Sequence, residues 1–201
     1  MLNNPVLPTA YLAPISYYAI LLQQPNCSIE LNEHFVKQSI RNRCEIYGAN
    51  GKLRITIPKE RKGSSKTIIS EIKISYKQNW QKEHWNAIVS TYNSSPFFEY
   101  YKDELQAIFE EKEAYLVDFN SKLQKVILSI LQEEIEVKTT TEYLHKGNFS
   151  DLRNHNWELE TQAKYDQVFM EKHGFIPNLS ILDLVFNLGP QSSEYLLNVK
   201  M

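Results

Sequence analysis

Residues 11–31 read YLAPISYYAILLQQPNCSIEL, and their reading decides the fold class. Tyr11-Leu12-Ala13-Pro14-Ile15 reads as a short strand that Pro14 stops. Residues 17–23 then form a short helix that Ser16 can cap. Residues 27–31 read as a second strand. Strand, helix and strand within about twenty residues call for a tight βαβ unit with parallel strands.

Downstream, Cys44-Glu45-Ile46-Tyr47 and Leu53-Arg54-Ile55-Thr56-Ile57 alternate apolar with polar residues around Gly48-Ala49-Asn50-Gly51. Asn-Gly favours positive φ at both central positions of a tight turn, so a β-hairpin is expected, closed by Pro58. Residues 59–66, KERKGSSK, read as a polar loop. Ile72, Ile74 and Tyr76 alternate with Glu71, Lys73 and Ser75, the pattern of another strand.

The period then changes. Trp85, Ile88, Val89 and Tyr92 sit at helical spacing, and Ser95-Pro96 interrupts. From Asp103, apolar residues from Leu105 through Leu131 recur at steps of three and four, as in one long amphipathic helix with a single break. Residues 135–143, IEVKTTTEY, are β-branched and read as a strand. Tyr165, Val168 and Phe169 predict a helix that Gly174 ends. Residues 179–188 predict another, capped by Asn178 or Ser180 and stopped by Gly189-Pro190, and a last helix covers 192–199. The expectation is an α/β fold: a mixed, partly parallel sheet with a β-hairpin, helices packed on it and a helical C-terminal half. No repeat or linker divides the chain, so residues 1–201 read as a single domain.

Composition excludes several function classes. The formal net charge is −2, without the bulk basic field that broad nucleic-acid binding shows. The basic 59–66 loop lacks stacking aromatics. Two cysteines, Cys27 and Cys44, are too few for a secreted disulfide scaffold. The first Lys or Arg is Lys37, so the apolar stretch near the N-terminus lacks the positive start of a secretory signal. No stretch is long and apolar enough to span a bilayer. These features predict a cytoplasmic protein with no membrane span. Phosphate-loop, dinucleotide-binding and nucleophile-elbow motifs are absent. The histidines are scattered, so neither a structural zinc nor another cofactor is expected.

Three clusters carry chemistry. Lys37-Gln38-Ser39-Ile40-Arg41-Asn42-Arg43 places three cations among amide and hydroxyl side chains, and guanidinium forks match phosphate or carboxylate. The plain alternative is a solvated strand edge. Trp80-Gln81-Lys82-Glu83-His84-Trp85 sets His84 on the helix face of Trp80, where it can act as acid or base or be a satisfied core histidine. Gly174-Phe175-Ile176-Pro177-Asn178-Leu179-Ser180-Ile181-Leu182-Asp183 leads a loop into a helix N-terminus. Ser180 and Asp183 there form a capping-box-like pair, and the free N–H groups can hold an anion.

With Tyr11-Leu12-Ala13-Pro14-Ile15-Ser16-Tyr17-Tyr18, Ala49-Asn50-Gly51-Lys52-Leu53, Ile74-Ser75-Tyr76 and Ser94-Ser95-Pro96-Phe97-Phe98, these clusters resemble the WbqC-like proteins, in the family's order along nearly the whole chain. Members of that family often occur in gene sets for O-antigen and other surface polysaccharides. The resemblance implies transferase-like work on a sugar or sugar nucleotide, with glycine or another small group as cargo. Many members carry His-Gln-Pro ahead of the Tyr-x-Pro stretch, where this chain has Pro8-Thr9-Ala10.

The expected site lies near the carboxyl end of the first strand. Tyr11 and Tyr18 would line it. Lys37, Arg41 and Arg43 would bind an anionic small molecule, a nucleotide sugar or an activated acyl or aminoacyl donor. Gln38, Asn42 and Asn178 would orient that molecule. His84 is the first candidate general base and Asp183 the second. A non-catalytic binding or scaffold protein in a glycan-assembly system is the alternative, and the sequence leaves enzyme status and oligomeric state open. The discriminating feature is whether Lys37, Arg41, Arg43 and His84 converge on one concavity.

Overall fold

The computed structural model describes residues 3–24, 26–60, 66–145, 147–159 and 161–200. Its first unit is a βαβ crossover of β1 (Val6–Pro8), α1 (Ile15–Gln23) and β2 (Ser28–Glu30), with β1 and β2 parallel and Val6 opposite Ser28. The first strand is thus upstream of the expected 11–15. Residues 11–14 form a bent connection in which Leu12 has φ 43°, incompatible with a strand. The β2 strand falls where expected. Every side chain from Ile15 to Leu21 in α1 is buried, as in a helix enclosed on all sides.

The hairpin pairs β3 (Arg43–Gly48) with β4 (Gly51–Thr56), antiparallel, with Gly48 opposite Gly51. Of its four turn residues only Gly51 has positive φ, 101°. The turn therefore takes the form with one left-handed glycine after it, not the expected one with two positive-φ central residues. Much of the expected 59–66 loop, residues 61–65, lies outside the described residues.

Residues 72–76 do not build a strand. They hold single bridges, Lys73 to Tyr115 and Lys59 to Ile74. The helical spacing ahead of Ser95-Pro96 gives α2 (Trp80–Tyr92), and this pairing explains the break in the long pattern that follows, which resolves into α3 (Phe98–Glu110) and α4 (Leu116–Ile130). Ile74 N–H bonds the Ala114 carbonyl at 3.0 Å and Leu116 N–H bonds the Ile72 carbonyl at 2.9 Å. The chain between α3 and α4 is held extended to satisfy those groups.

The expected 135–143 strand shrinks to β5 (Lys138–Thr139), parallel to β2, so the three-stranded sheet runs β1-β2-β5. The C-terminal part adds α5 (Met170–His173), α6 (Ile181–Leu188) and α7 (Ser192–Leu197). Tyr165 and Val168 lie outside α5, which is a single turn ended by Gly174 at φ 75°. Ser180 caps α6 by accepting from Leu182 N–H. Asp183 completes no capping box, because its carboxylate turns into the core. α6 stops at Gly189, φ 53°, where a Cβ would come within 2.4 Å of the Phe97 ring.

A buried ionic chain ties these parts together. Arg41 is 2 % exposed and donates to Glu33 from Nε at 2.7 Å and from Nη2 at 2.6 Å, and Nη2 also reaches the Arg153 carbonyl at 2.9 Å. Arg153 bonds Asp151 at 2.6 Å, Glu30 at 3.2 Å and the Leu144 carbonyl at 2.8 Å. Glu30, at the end of β2, accepts from Asn32 N–H, Leu144 N–H and the Thr140 hydroxyl. Burial pushes the Glu33 carboxyl above its ordinary range, against the pull of Arg41. Removing one partner of such a pair strands the other charge. Arg41→Ala is expected to cost about 3–5 kcal/mol of folding stability, read from urea unfolding; a cost under about 1 kcal/mol would mean that the pair behaves as a surface ion pair.

Candidate functional site

The 11–15 connection lies against the segment that enters α6. Pro14 and Ser180 form an antiparallel bridge, Ile15 N–H bonds the Leu179 carbonyl at 3.1 Å, and Ile181 N–H bonds the Ala13 carbonyl at 2.9 Å. Ser180 donates its hydroxyl to the Leu12 carbonyl at 2.9 Å, and its N–H to the Glu45 carbonyl at 2.8 Å. Two segments far apart in sequence are thereby strapped to the base of the hairpin.

Beside this strap lies a cleft of about 710 Å3, bounded by the 36–41 loop, the start of β3, residues 153–159 and the 177–180 turn. Five cations line it, Arg41, Arg43, Lys52, Arg54 and Arg153, against the carboxylates of Glu45 and Glu158. They are not equivalent. Arg41 and Arg153 are committed to the buried ionic chain. Arg54 and Lys52 share Glu45, at 2.6 and 3.3 Å. No described residue offers Arg43 an ion-pair or hydrogen-bond partner, although its Nε is shielded from solvent. A guanidinium with a desolvated, unsatisfied N–H is costly unless an acceptor arrives.

Strained backbone gathers here too. Of five non-glycine residues with positive φ among the described residues, three line the cleft: Leu12 at 43°, Gln38 at 59° and Asn178 at 54°. Such outliers persist where surrounding structure enforces them, and they concentrate at functional sites. For Asn178 the enforcement is visible: its Oδ1 accepts from Ser16 N–H at 2.9 Å, its N–H donates to Gln162 at 2.6 Å, and its amide nitrogen donates to the Trp157 carbonyl. Trp157 lies in the cleft wall between the rings of Tyr17 and His155, each 5.2 Å away.

The structure therefore brings Gln38, Arg41, Arg43 and Asn178 to one concavity. Lys37 is exposed but does not line it. Asn42 is buried and donates to the Ile57 carbonyl at 2.9 Å. Tyr11 and Tyr18 are core residues whose phenols burial pushes up. His84, 6 % exposed, also lies in the core, with Nδ1 2.9 Å from the Tyr11 hydroxyl and its ring 5.1 Å from Trp80. Burial lowers its pKa to about 4, partly offset by a bond to the Thr56 carbonyl. The convergence test thus separates Arg41 and Arg43 from Lys37 and His84. Arg153 and His155 line the cleft from residues 146–156, which read in sequence as a polar loop, and Trp157 lines it just after that loop. The one local signal is an Arg, a His and a Trp at alternate positions.

Asp183 is fully buried and accepts from Tyr165 Oη at 2.5 Å and Gln167 Nε2 at 2.8 Å. Burial raises its pKa to about 6, against the pull of Tyr165, Gln167 and Tyr92. Gln167 also exchanges two bonds with Ile176, so the carboxylate anchors the 165–176 segment to α6. Tyr165 and Gln167 reach the wall of a wider, shallower groove of about 820 Å3, but Asp183 does not line it. Both cysteines are buried and burial raises their thiols, so neither is an activated nucleophile. No described group of three or more His, Cys, Asp or Glu could hold a metal ion, and no described helix is long and apolar enough to cross a membrane.

A raised carboxylate pKa means that the folded state holds the proton longer than the unfolded chain. Asp183's contribution to stability is then full below pH 3.8 and is lost as pH rises through about 6. Asp183→Asn removes this dependence. Urea unfolding across that range should show the variant gaining on the parent by on the order of 2–3 kcal/mol as pH rises. A flat difference would contradict the burial account of the carboxylate.

Two comparisons bear on identity. A family model described as the WbqC-like protein family matches residues 10–155 and 135–195. The uncharacterized protein Rv1507c of Mycobacterium tuberculosis is 26 % identical over 196 residues, covering 81 % of this chain and 83 % of that protein. No solved structure matches with significance.

Proposed function

This chain belongs to the WbqC-like protein family, and from that premise and the cleft's geometry we propose that it is a transferase acting on a sugar or sugar nucleotide in surface-polysaccharide biosynthesis. Its donor is an anionic small molecule, a nucleotide sugar or an activated acyl or aminoacyl compound. The cleft receives the anionic group on Arg43, and Gln38 and Asn178 orient the rest. The observation that carries this reading is the unpartnered, partly desolvated Arg43 guanidinium in a cleft whose other cations already have carboxylates. Phosphate or carboxylate supplies what the guanidinium lacks: a planar, charge-assisted acceptor. The strained Leu12, Gln38 and Asn178 backbone around the cleft supports it further.

Arg41 acts on the ligand only through the wall that it builds. His84 and Asp183, each closed off in the core, serve by positioning: His84 holds Tyr11 at the start of the 11–15 connection, and Asp183 holds the segment leading to Asn178. His155, exposed on the cleft wall, is the ring within reach of a bound ligand for acid–base work.

The test is a thermal-shift panel of nucleotide sugars, acyl-coenzyme A species and aminoacyl donors, followed by titration of any compound that raises the melting temperature. Losing a hydrogen bond to a charged group costs about 1.5–3 kcal/mol. Arg43→Ala should therefore weaken binding about 10- to 100-fold while leaving the ligand-free melting temperature near the parent value. Binding undiminished in Arg43→Ala would overturn the assignment, and a blank panel would favour the non-catalytic scaffold.

A further inference from the structure

A separate cavity of about 420 Å3 lies between the parallel sheet and α4. One wall is a single sheet face, since Ile29 of β2 pairs with Thr139 of β5, and Leu31 and Val137, two residues away along each chain segment, line the cavity beside them. The opposite wall is one stripe of α4, in which Val117, Asn120, Gln124 and Leu128 recur at helical spacing. Thr9 and Ala10, just past the carboxyl end of β1, close it. Ligands of open α/β sheets bind at this edge, outside the carboxyl ends of parallel strands. The cavity shares no lining residue with the cleft.

Asn120 fixes its polar character. The residue is 2 % exposed, and its amide nitrogen donates both hydrogens, to the Arg41 carbonyl at 2.8 Å and to Thr9 Oγ1 at 3.1 Å. The Arg41 carbonyl sets the amide's orientation, because a flip would bring two acceptors together. Asn120 Oδ1 is left buried with no donor, and buried polar atoms without partners call for an explanation. The other polar groups that line it without charge are the buried Thr9 hydroxyl and the half-buried Gln124 amide inside, and the exposed hydroxyls of Ser121 and Thr139 at the rim. Charge enters through Asp118, Lys125 and Glu136, exposed and of mixed sign.

We infer that this cavity is a second small-molecule site, for an uncharged hydroxylated compound of the size of a single sugar ring that donates an O–H to Asn120 Oδ1. Its C–H faces lie on the apolar sheet wall and its remaining hydroxyls meet the neutral groups of α4 and Thr139. An anion gains nothing there, because no cation faces it from the interior. The Asn120 bond to the Arg41 carbonyl makes the two sites neighbours across one stretch of backbone. The inference does not rest on the cleft's ligand.

The experiment is chemical-shift mapping on the isotope-labelled full chain with glucose, galactose, N-acetylglucosamine and glycerol at millimolar concentration. The expected result is a saturable shift for at least one sugar, confined to residues 9–10, 29–31, 117–128 and 135–139. Ser121→Trp or Thr139→Trp, each at an exposed rim position, fills the cavity and should abolish the shift while the melting temperature and the rest of the spectrum are retained. No saturable shift at these residues with any of the four probes overturns the site, as does a shift that survives both tryptophans. Shifts at the cleft alone would place the binding of these neutral compounds there and contradict this site.

Discussion

The bidentate pair between Arg41 and Glu33, with its continuation through Arg153 to Glu30, is the constraint on which the rest of the structure depends. Two guanidinium groups and two carboxylates have been taken almost wholly out of water. Such groups are tolerated only where each hydrogen-bonding position is met. Meeting them requires the end of β2, the 33–41 loop, residues 140–144 and residues 151–153 to lie together. The βαβ unit, the hairpin and the long C-terminal connection are joined by that requirement, not by extended strand pairing. The sheet strands themselves are only two or three residues long.

The same chain of charges decides what the cleft can do. A cluster of basic residues offers an anion nothing if each cation is already neutralised. Here four of the five lining cations hold a carboxylate, Lys52 and Arg54 sharing one, and Arg43 holds none among the described residues. Its neighbour two residues back has the same side chain and the opposite role. Glu33 lies eight residues upstream of Arg41 and claims it at 2.7 and 2.6 Å. Arg43 lies on the hairpin opposite Thr56, which carries no charge. The carboxylate within reach of Arg41, and its absence opposite Arg43, thus separates the two arginines.

That partition explains how much is legible in sequence. The hairpin, β2, α2 and α6 come from alternation, helical spacing and turn residues, all local, whereas where the long helical pattern breaks is set by the pairing of residues 72–74 with 114–116. β1 escapes a sequence reading because Val6-Leu7-Pro8 is too short to show a period, and its strand character comes from pairing with Ser28–Glu30. Tyr11-Leu12-Ala13-Pro14 reads as the strand in its place, since its residues are apolar, but their burial serves the strap to Leu179 and Ser180. At the cleft, the stretches 37–43 and 174–183 supply part of the lining, among them Gln38, Arg41, Arg43 and Asn178. Which arginine is free is not readable, because Arg41 is fixed by Glu33 and by a carbonyl 112 positions away. His84 illustrates the same limit: its helical neighbours give its face of α2, but Tyr11 and Thr56, from other elements, fix it as a neutral core ring.

The division of roles among the arginines is tested most directly by the side-chain Nε–H spectrum of the isotope-labelled protein during titration with pyrophosphate. Arg41 and Arg153 already hold acceptors at hydrogen-bond distance, whereas Arg43 holds none. The prediction is a saturable downfield shift and slowed hydrogen exchange at Arg43, with Arg41 and Arg153 unmoved. An unresponsive Arg43, or equal movement of all three signals, would contradict the division from which the cleft's function is argued.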